Sequence, residues 1–200
     1  MVFNFSKKYQ FNTRLKAEGK TIDQTHETRL LGLVVRDDLS WKSNTQELTK
    51  RAYTRMIILR NLFQFNMPLY ELVEIFVLYI RSIVEQSAVV WHSSITKGER
   101  KDLERVQKVA LKIMLKESYT TYEEALQKTG LETLFSRRKK LCLNFANKCI
   151  KREDSADMFP RNTNTTNTRN TEAFNVTKAK TERLAKSAIP YMQRLLNKRK

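Results

Sequence analysis

The longest apolar stretch of the chain, from Leu69 to Trp91, predicts the central helix of a helical bundle. When successive residues are placed 100° apart around a helix axis, the few polar side chains of this stretch share one face about 100° wide. The rest of the circumference is apolar. A helix of this kind must be covered on several sides, so we expect other helices to surround it. Four charges within the stretch argue against a membrane span. The polar residues are Glu71, Glu74, Arg81, Ser82 and Glu85.

After Trp41, apolar residues recur at intervals of three and four, which predicts a first helix. We expect Ser43 or Asn44 to cap this first helix, because either side chain can accept a hydrogen bond from a free amide of the first turn. The predicted inner face comprises Leu48, Ala52, Met56, Leu59 and Phe63.

Two capping patterns predict two further helices. Thr96 followed by Glu99 opens a third helix, and Thr121 followed by Glu124 opens a short one that Gly130 ends. The inner face of the third helix is expected to comprise Leu103, Val106, Ala110 and Ile113.

A last core helix is expected from about Thr133 to Arg152. Residues 153–172 then turn to Asn and Thr without periodicity, which predicts a disordered linker. Residues 173–200 form a basic tail in which we expect one or two helices. The apolar stripe of the last core helix comprises Leu134, Leu141, Cys142, Phe145 and Cys149.

Residues 1–42 show the alternation of apolar and polar positions that is typical of β-strands. Phe3 and Phe5 alternate with polar neighbours, and Lys16–Lys20 carries a turn signal. A sheet with so few apolar side chains cannot form an independent domain, so we expect the edge of a sheet whose other strands lie elsewhere, and a chain that begins in the middle of a domain. The predicted fold class is therefore mainly α, with a helical bundle over residues 43–152 after a short β-hairpin or sheet edge.

Composition adds a strong positive charge to this picture. The 200 residues carry a formal net charge of +17, with an isoelectric point near 10.0. Residues 41–152 alone hold 21 basic and 11 acidic side chains, a net charge of +10. Such an excess makes polyanions the expected partners, either nucleic acid or an anionic membrane. Two cysteines and no visible signal peptide indicate a reducing, intracellular compartment.

No set of side chains in the sequence predicts catalysis or metal binding. Asp37 and Asp38 are adjacent, but they lack the aromatic residue that precedes the aspartates of a polymerase hairpin, so a solvated turn is the preferred interpretation. Cys142 and Cys149 are seven residues apart, whereas metal ligands on a helix are spaced by three or four, and we expect both to pack in the core. His92 is expected at a helix end rather than as a base. We expect this chain alone to hold no cofactor and to catalyse no reaction.

The third predicted helix carries the clearest functional signal, a face with one sign of charge. Its five cations project within about 80° of one another, opposite the apolar residues. Ordinary helix surfaces mix both signs, and like charges four residues apart repel each other, so a polyanion would stabilise this face. We expect it to bind polyphosphate, and the alternative is a solvated surface. The cations are Lys101, Arg105, Lys108, Lys112 and Lys116, with Arg137 and Arg138 as a weaker second candidate.

Four blocks of the chain follow a recognisable order. Leu30–Gly32 and then Leu39–Trp41 give the pattern LG…LSW. Tyr79–Trp91 is similar to Y…RS(I/V)LEY…VW, Leu103–Lys108 to LE.VQ(R/K), and Leu131–Arg138 to L..L..RR. In this order and at this spacing, the blocks resemble the primer-grip and thumb region near the C-terminus of reverse transcriptases from non-LTR retrotransposons of the Jockey-like group. The resemblance covers most of the chain.

The resemblance implies a role for each part of the chain. It places Leu30, Leu31 and Gly32 in a primer-grip-like hairpin, which in the family holds the primer terminus near the active site. Residues 1–42 would be the remnant of a palm domain, and residues 43–152 a thumb-like bundle that grips template–primer duplex. The implied partner is an RNA–DNA or DNA duplex, with the nucleus as the location and no membrane.

The same resemblance implies that the parent protein is an RNA-directed DNA polymerase. Its catalytic aspartates and the Mg²⁺ that they bind lie upstream in the family, and this sequence has none of that upstream palm and fingers region. The second hypothesis is a basic nucleic-acid-binding or structural remnant retained by the host, or a relic without function. A reading frame that extends upstream of Met1 into an aromatic-x-Asp-Asp hairpin would favour the first hypothesis. A promoter and start codon at Met1 would favour the second.

Overall fold

A computed structural model describes residues 1–3, 15–162 and 173–198 of the chain. It is mainly helical, with a short two-stranded hairpin before the helices, and this confirms the fold class predicted from the sequence. The expected strand around Phe5 and residues 163–172 of the Asn- and Thr-rich segment lie outside the described residues.

Short antiparallel hairpins precede the first helix. In the hairpin nearest the helices, Leu31 and Gly32 connect the strands with φ angles of 49° and 81°. Positive φ at both central residues is the geometry of a type I′ turn, whose twist matches that of the two strands. Leu33 begins the last strand and is buried in the main core. The paired strands are β1 (Lys16–Ala17) with β2 (Lys20–Thr21), and β3 (Glu27–Leu30) with β4 (Leu33–Arg36).

The helices follow the order predicted from the sequence, with additional short segments. A π-helical segment over Phe76–Arg81 connects α2 to α3, and 3₁₀ turns occupy Lys116–Ser118 and Ala156–Met158. The α-helices are α1 (Lys42–Gln64), α2 (Leu69–Ile75), α3 (Ser82–Glu85), α4 (Ala88–Trp91), α5 (Lys97–Leu115), α6 (Tyr122–Thr129), α7 (Leu134–Ile150), α8 (Glu182–Lys186) and α9 (Ala188–Asn197).

The central element runs from α2 through the π-helical segment into α3 and carries the main core. Its side chains Phe76, Ile80 and Val84 are fully buried. Helices α1, α5 and α6 pack around α2, and α1 also packs against the π-helical segment and α3. The expectation that other helices surround this stretch is confirmed, since apolar side chains on several faces need cover on several sides.

The central element does not continue as one helix to Trp91, so that prediction was wrong. The helix ends at Glu85, and Ser87 has a φ of 49° before α4 begins. The break lets the indole Nε1 of Trp91 donate a hydrogen bond to the carbonyl of Gln86 at 2.9 Å, and the indole is completely buried. Apolar residues on both sides of the break face the same core, so the helical spacing alone gave no sign of it.

Neither expected cap is used by α1. Trp41 occupies the N-cap position, without a side-chain hydrogen bond to the first turn. Asn44 is buried instead, and its Oδ1 accepts a hydrogen bond from the backbone N–H of Val34 at 3.2 Å. This bond ties the start of α1 to β4. The predicted inner face is confirmed for Leu48, Ala52, Met56 and Leu59, whereas Phe63 is half-buried.

Both predicted caps of the next helices are confirmed. In α5, Thr96 Oγ1 accepts from the N–H of Glu99 at 3.2 Å, and the Glu99 carboxylate accepts from the N–H of Thr96 at 2.6 Å. In α6, Thr121 Oγ1 accepts from the N–H of Glu124, and Gly130 ends the helix with a φ of 66°. The inner face of α5 comprises Leu103, Val106 and Ala110 as predicted, with Leu111 and Met114 buried and Ile113 half-buried.

A second core lies between α7 and α9, and it corrects the expectation for the end of the chain. Residues 153–162 were predicted to be disordered, but they include a 3₁₀ turn and the buried Phe159. The basic tail is partly helical, as predicted, and its α9 packs against α7. Phe145 is exposed rather than part of the α7 stripe. The buried residues are Cys142, Ala146, Cys149, Phe159, Met192, Leu195 and Leu196.

Replacing Phe76 by Ala is expected to lower the free energy of unfolding by about 3–5 kcal/mol, because it removes a fully buried ring from the main core. Urea denaturation followed by far-ultraviolet circular dichroism measures the change. Leu78→Ala is the matched control, since Leu78 lies in the same π-helical segment and is 58% exposed. Equal losses for the two variants would contradict the assignment of the core.

Candidate nucleic-acid interface

The cationic face predicted on the third helix is exposed on α5. We call the five side chains Lys101, Arg105, Lys108, Lys112 and Lys116 the cationic stripe, and each of them is exposed. Within residues 15–162 and 173–198, none of the five forms an ion pair shorter than 4.0 Å with a carboxylate. Five positions over 15 residues extend about 22 Å along the helix at 1.5 Å per residue.

Aromatic rings flank three of the stripe's ammonium groups. The Nζ of Lys108 lies 4.7 Å from the ring centroid of Tyr122, and that of Lys112 lies 5.4 Å from the ring of Tyr119. These contacts hold flexible side chains against the surface by cation–π attraction. The three lysines remain exposed, so the contacts orient the cations in advance without neutralising them.

Lys116 departs from the predicted helical geometry. It is the C-cap residue of α5, with a φ of 46°, and therefore lies beyond the regular helix. Its Nζ lies 5.3 Å from the ring centroid of Phe63 on α1, on the side of the stripe away from Tyr122. The stripe is thus bordered by α1 on one side and by α6 on the other. The sequence analysis predicted the basic residues of α5 but none of the three flanking rings, of which Phe63 lies more than fifty residues before Lys116.

A buried junction beneath the stripe fixes α5 against α6 and α7. Glu104 Oε1 accepts hydrogen bonds from the hydroxyl of Tyr122 and from the N–H of Leu134, 3.1 Å away, at the start of α7. Gln107 Nε2 donates to the hydroxyl of Tyr122 at 3.0 Å and to the carbonyl of Glu132 at 2.9 Å. Burial and the nearby Glu104 carboxylate raise the pKa of Tyr122, which keeps the phenol protonated and donating. Glu104 and Gln107 of the LE.VQ block therefore connect α5 to the neighbouring helices.

The second candidate pair, Arg137 and Arg138, does not form a surface site. Arg138 is 0% exposed, so the prediction that it contacts nucleic acid was wrong. Its guanidinium carbon lies 5.6 Å from the ring centroid of Trp91, and burial lowers its pKa to about 10. Arg137 is half-buried, and its Nε lies 3.2 Å from Glu85 Oε1. A run of four basic residues spans every side of a helix, so some of them must face the core.

His92 is also buried, and it lies at the C-terminal end of α4, as predicted. Its Nδ1 accepts from Arg138 Nε at 3.4 Å, which places the proton of the neutral ring on Nε2. Burial, Arg138 and Arg100 together lower the pKa of His92 to about 3. The ring packs against Phe135 and Tyr191, so it joins α4 to α7 and α9. These contacts are structural.

The residues predicted to be primer-grip-like form the exposed tip of the β3–β4 hairpin. Leu31 is 91% exposed and Leu30 is also exposed. Gly32 closes the turn, and a Cβ at this position would lie 2.7 Å from Gln86 Nε2. Gln86 in turn accepts from Arg51 Nη1 at 3.2 Å. The hairpin tip therefore rests on the break after α3, with its leucines directed away from the bundle.

Asp37 and Asp38 lie in the turn between β4 and α1, as predicted. Asp37 Oδ2 is 2.7 Å from His26 Nδ1. Asp38 Oδ1 accepts from the N–H of Ser40 at 2.9 Å and from Arg36 Nε at 3.2 Å. Among the described residues, no group of three or more His, Cys, Asp or Glu side chains is arranged to hold a metal ion.

A cleft of about 480 Å³ opens between the first halves of α1 and α5, and we call it the α1–α5 cleft. Arg105 lines it, so the cleft adjoins the cationic stripe. Tyr53, 37% exposed, forms part of the α1 wall. The other lining residues include Lys42, Thr45, Thr49, Thr96 and Asp102.

The chain matches no protein-family model, no curated protein and no solved structure. The resemblance carried by the four sequence blocks therefore stays a prediction. Among the described residues, none of the helices combines the length and the hydropathy that a membrane span requires. What the surface offers chemically is a row of exposed cations beside aromatic rings.

The buried His92 predicts a loss of stability in acid. Because the unfolded chain takes up this proton below pH 6.5 and the folded chain does so only near pH 3, stability is highest above pH 6.5 and falls as the pH decreases. The His92 contribution is expected to fall by up to about 1.4 kcal/mol per pH unit between these values. The His92 contribution is measured by comparing the urea unfolding midpoints of the wild type and the His92→Gln variant over this pH range. Parallel pH curves for the two proteins would contradict the assignment.

Proposed function

We propose that this chain binds nucleic-acid duplex through the cationic stripe of α5. The observation that carries the proposal is the stripe itself, five exposed cations without carboxylate partners among the described residues. Each cation that neutralises a phosphate releases condensed counterions, which favours binding at low salt. Such contacts position a duplex without reading its sequence.

The sequence resemblance supports a more specific form of the proposal. In it, the chain is the thumb-side part of a non-LTR retrotransposon reverse transcriptase, acting in the nucleus on template–primer duplex. Helix α5 carries the LE.VQ block, whose Glu104 and Gln107 point inward while Arg105 and Lys108 of the same block point outward. One short block thus contains both the anchoring and the proposed phosphate-binding residues.

Changing Lys101, Arg105, Lys108 and Lys112 together to Gln is expected to flatten the salt dependence of duplex binding. Each lost phosphate contact reduces the log–log slope by about 0.9 for duplex DNA, so the change is up to about four contacts' worth. The measurement is fluorescence anisotropy with a labelled 20-base-pair duplex over a salt series. Duplexes of unrelated sequence are expected to lose affinity equally.

The matched control removes four exposed cations from the tail, at Lys178, Lys180, Arg183 and Lys186. It has the same change in net charge as the stripe variant and leaves α5 intact. The proposal requires a clearly smaller change in slope for the tail variant. Equal changes would mean that binding follows the net charge of +17 and that the stripe is only a solvated surface.

We further propose that this chain alone does not polymerise DNA. The adjacent Asp37 and Asp38 are the natural candidates for metal ligands, but their oxygens contact His26, Arg36 and the backbone of Ser40. Primer extension on poly(A)–oligo(dT) with Mg²⁺ is expected to give only background incorporation. Incorporation that disappears in a double Asp37→Asn, Asp38→Asn variant would overturn this part of the proposal.

A further inference from the structure

The α1–α5 cleft adjoins the first half of the cationic stripe. Arg105 belongs to both features, since it is a stripe residue and lines the cleft. The volume of about 480 Å³ falls within the range of about 300–1,000 Å³ that is usual for small-ligand sites. The cleft can therefore take a group of limited size that projects beyond the last phosphates of a bound strand.

The walls of the cleft combine a ring with hydroxyls and with charges of both signs. Tyr53 lines the cleft on the α1 side, and burial raises the pKa of its phenol. Arg105 and Asp102 also lie close to this phenol, since Arg105 lowers its pKa and Asp102 raises it. Thr45, Thr49 and Thr96 also line this space.

These walls favour one class of ligand over simpler ones. A free inorganic phosphate would meet Arg105 but would also be repelled by Asp102. A purely apolar group would leave the charges of Arg105 and Asp102 without a partner. A nucleotide has a ring to stack on Tyr53, a phosphate for Arg105, and hydroxyl or amino donors for Asp102.

We infer that the α1–α5 cleft binds one unpaired nucleotide at the end of a duplex held by the cationic stripe, with its base stacked on Tyr53 and its phosphate at Arg105. The inference rests on the proposed duplex binding for the position of the nucleotide. The cleft itself depends only on the packing of α1 against α5.

The test compares a blunt 20-base-pair duplex with the same duplex carrying one unpaired 2-aminopurine nucleotide at a 3′ end. The full chain is expected to bind the overhang duplex at least about fivefold more tightly, the lower end of what one base stacked on an aromatic side chain contributes. The 2-aminopurine fluorescence is expected to decrease on binding. Equal affinities without a fluorescence change would overturn the inference.

Variants of Tyr53 test whether the cleft is the source of the tighter binding of the overhang duplex. Tyr53→Ser is expected to abolish the overhang advantage and the fluorescence change while leaving blunt-duplex affinity and its salt slope unchanged. Tyr53→Phe keeps the ring and is expected to retain both. Ile57→Ser is the matched control, because Ile57 lies one turn further along α1, is 57% exposed and does not line the cleft. Equal loss in the Ile57 and Tyr53→Ser variants would overturn the inference.

A third measurement separates failure of the cleft from failure of the stripe. The probe is 2-aminopurine riboside 5′-monophosphate alone, titrated at low salt. A fluorescence change that requires Tyr53, together with no binding of the blunt duplex, would support the cleft and reject the proposed duplex binding. Duplex binding through the stripe with no Tyr53-dependent change for either probe would reject the cleft alone.

Discussion

The packing of one side of α5 determines which of its side chains can reach a ligand. Helices α1, α2, α6 and α7 cover the side that carries Leu103, Val106 and Ala110. The Glu104 carboxylate then links α5 to the hydroxyl of Tyr122 on α6 and to the first amide of α7. Rotation of α5 would take Glu104 Oε1 away from both donors, so this junction resists it. The cations on the opposite side are held outward as a consequence.

The features that depend on local chemistry could be predicted from the sequence. A capping box specifies its own hydrogen bonds, which is why the start of α5 at Thr96 could be predicted. The end of α6 at Gly130 follows in the same way, because glycine readily adopts the positive φ that ends a helix. The outward direction of the stripe follows from helical geometry, because the apolar residues of α5 lie on the opposite side.

Features that depend on long-range packing could not be predicted. Whether Arg138 faces solvent is decided by the position of Trp91 and His92, which lie more than forty residues earlier in the chain. The break before α4 depends on the space that the Trp91 indole fills. The order of residues 153–162 depends on α9, whose Gln193 donates to the carbonyl of Met158 at 2.8 Å. In each case the deciding partner is remote, and local periodicity contains no information about it.

The central claim is that duplex lies along one face of α5, and footprinting of lysine side chains tests it most directly. The chain is acetylated with and without saturating duplex, and mass spectrometry gives the extent of modification at each lysine. The account predicts strong protection of Lys101, Lys108, Lys112 and Lys116, with the tail residues Lys178 and Lys180 modified equally in both samples. Protection that is uniform across the chain, or concentrated in the tail, would contradict it.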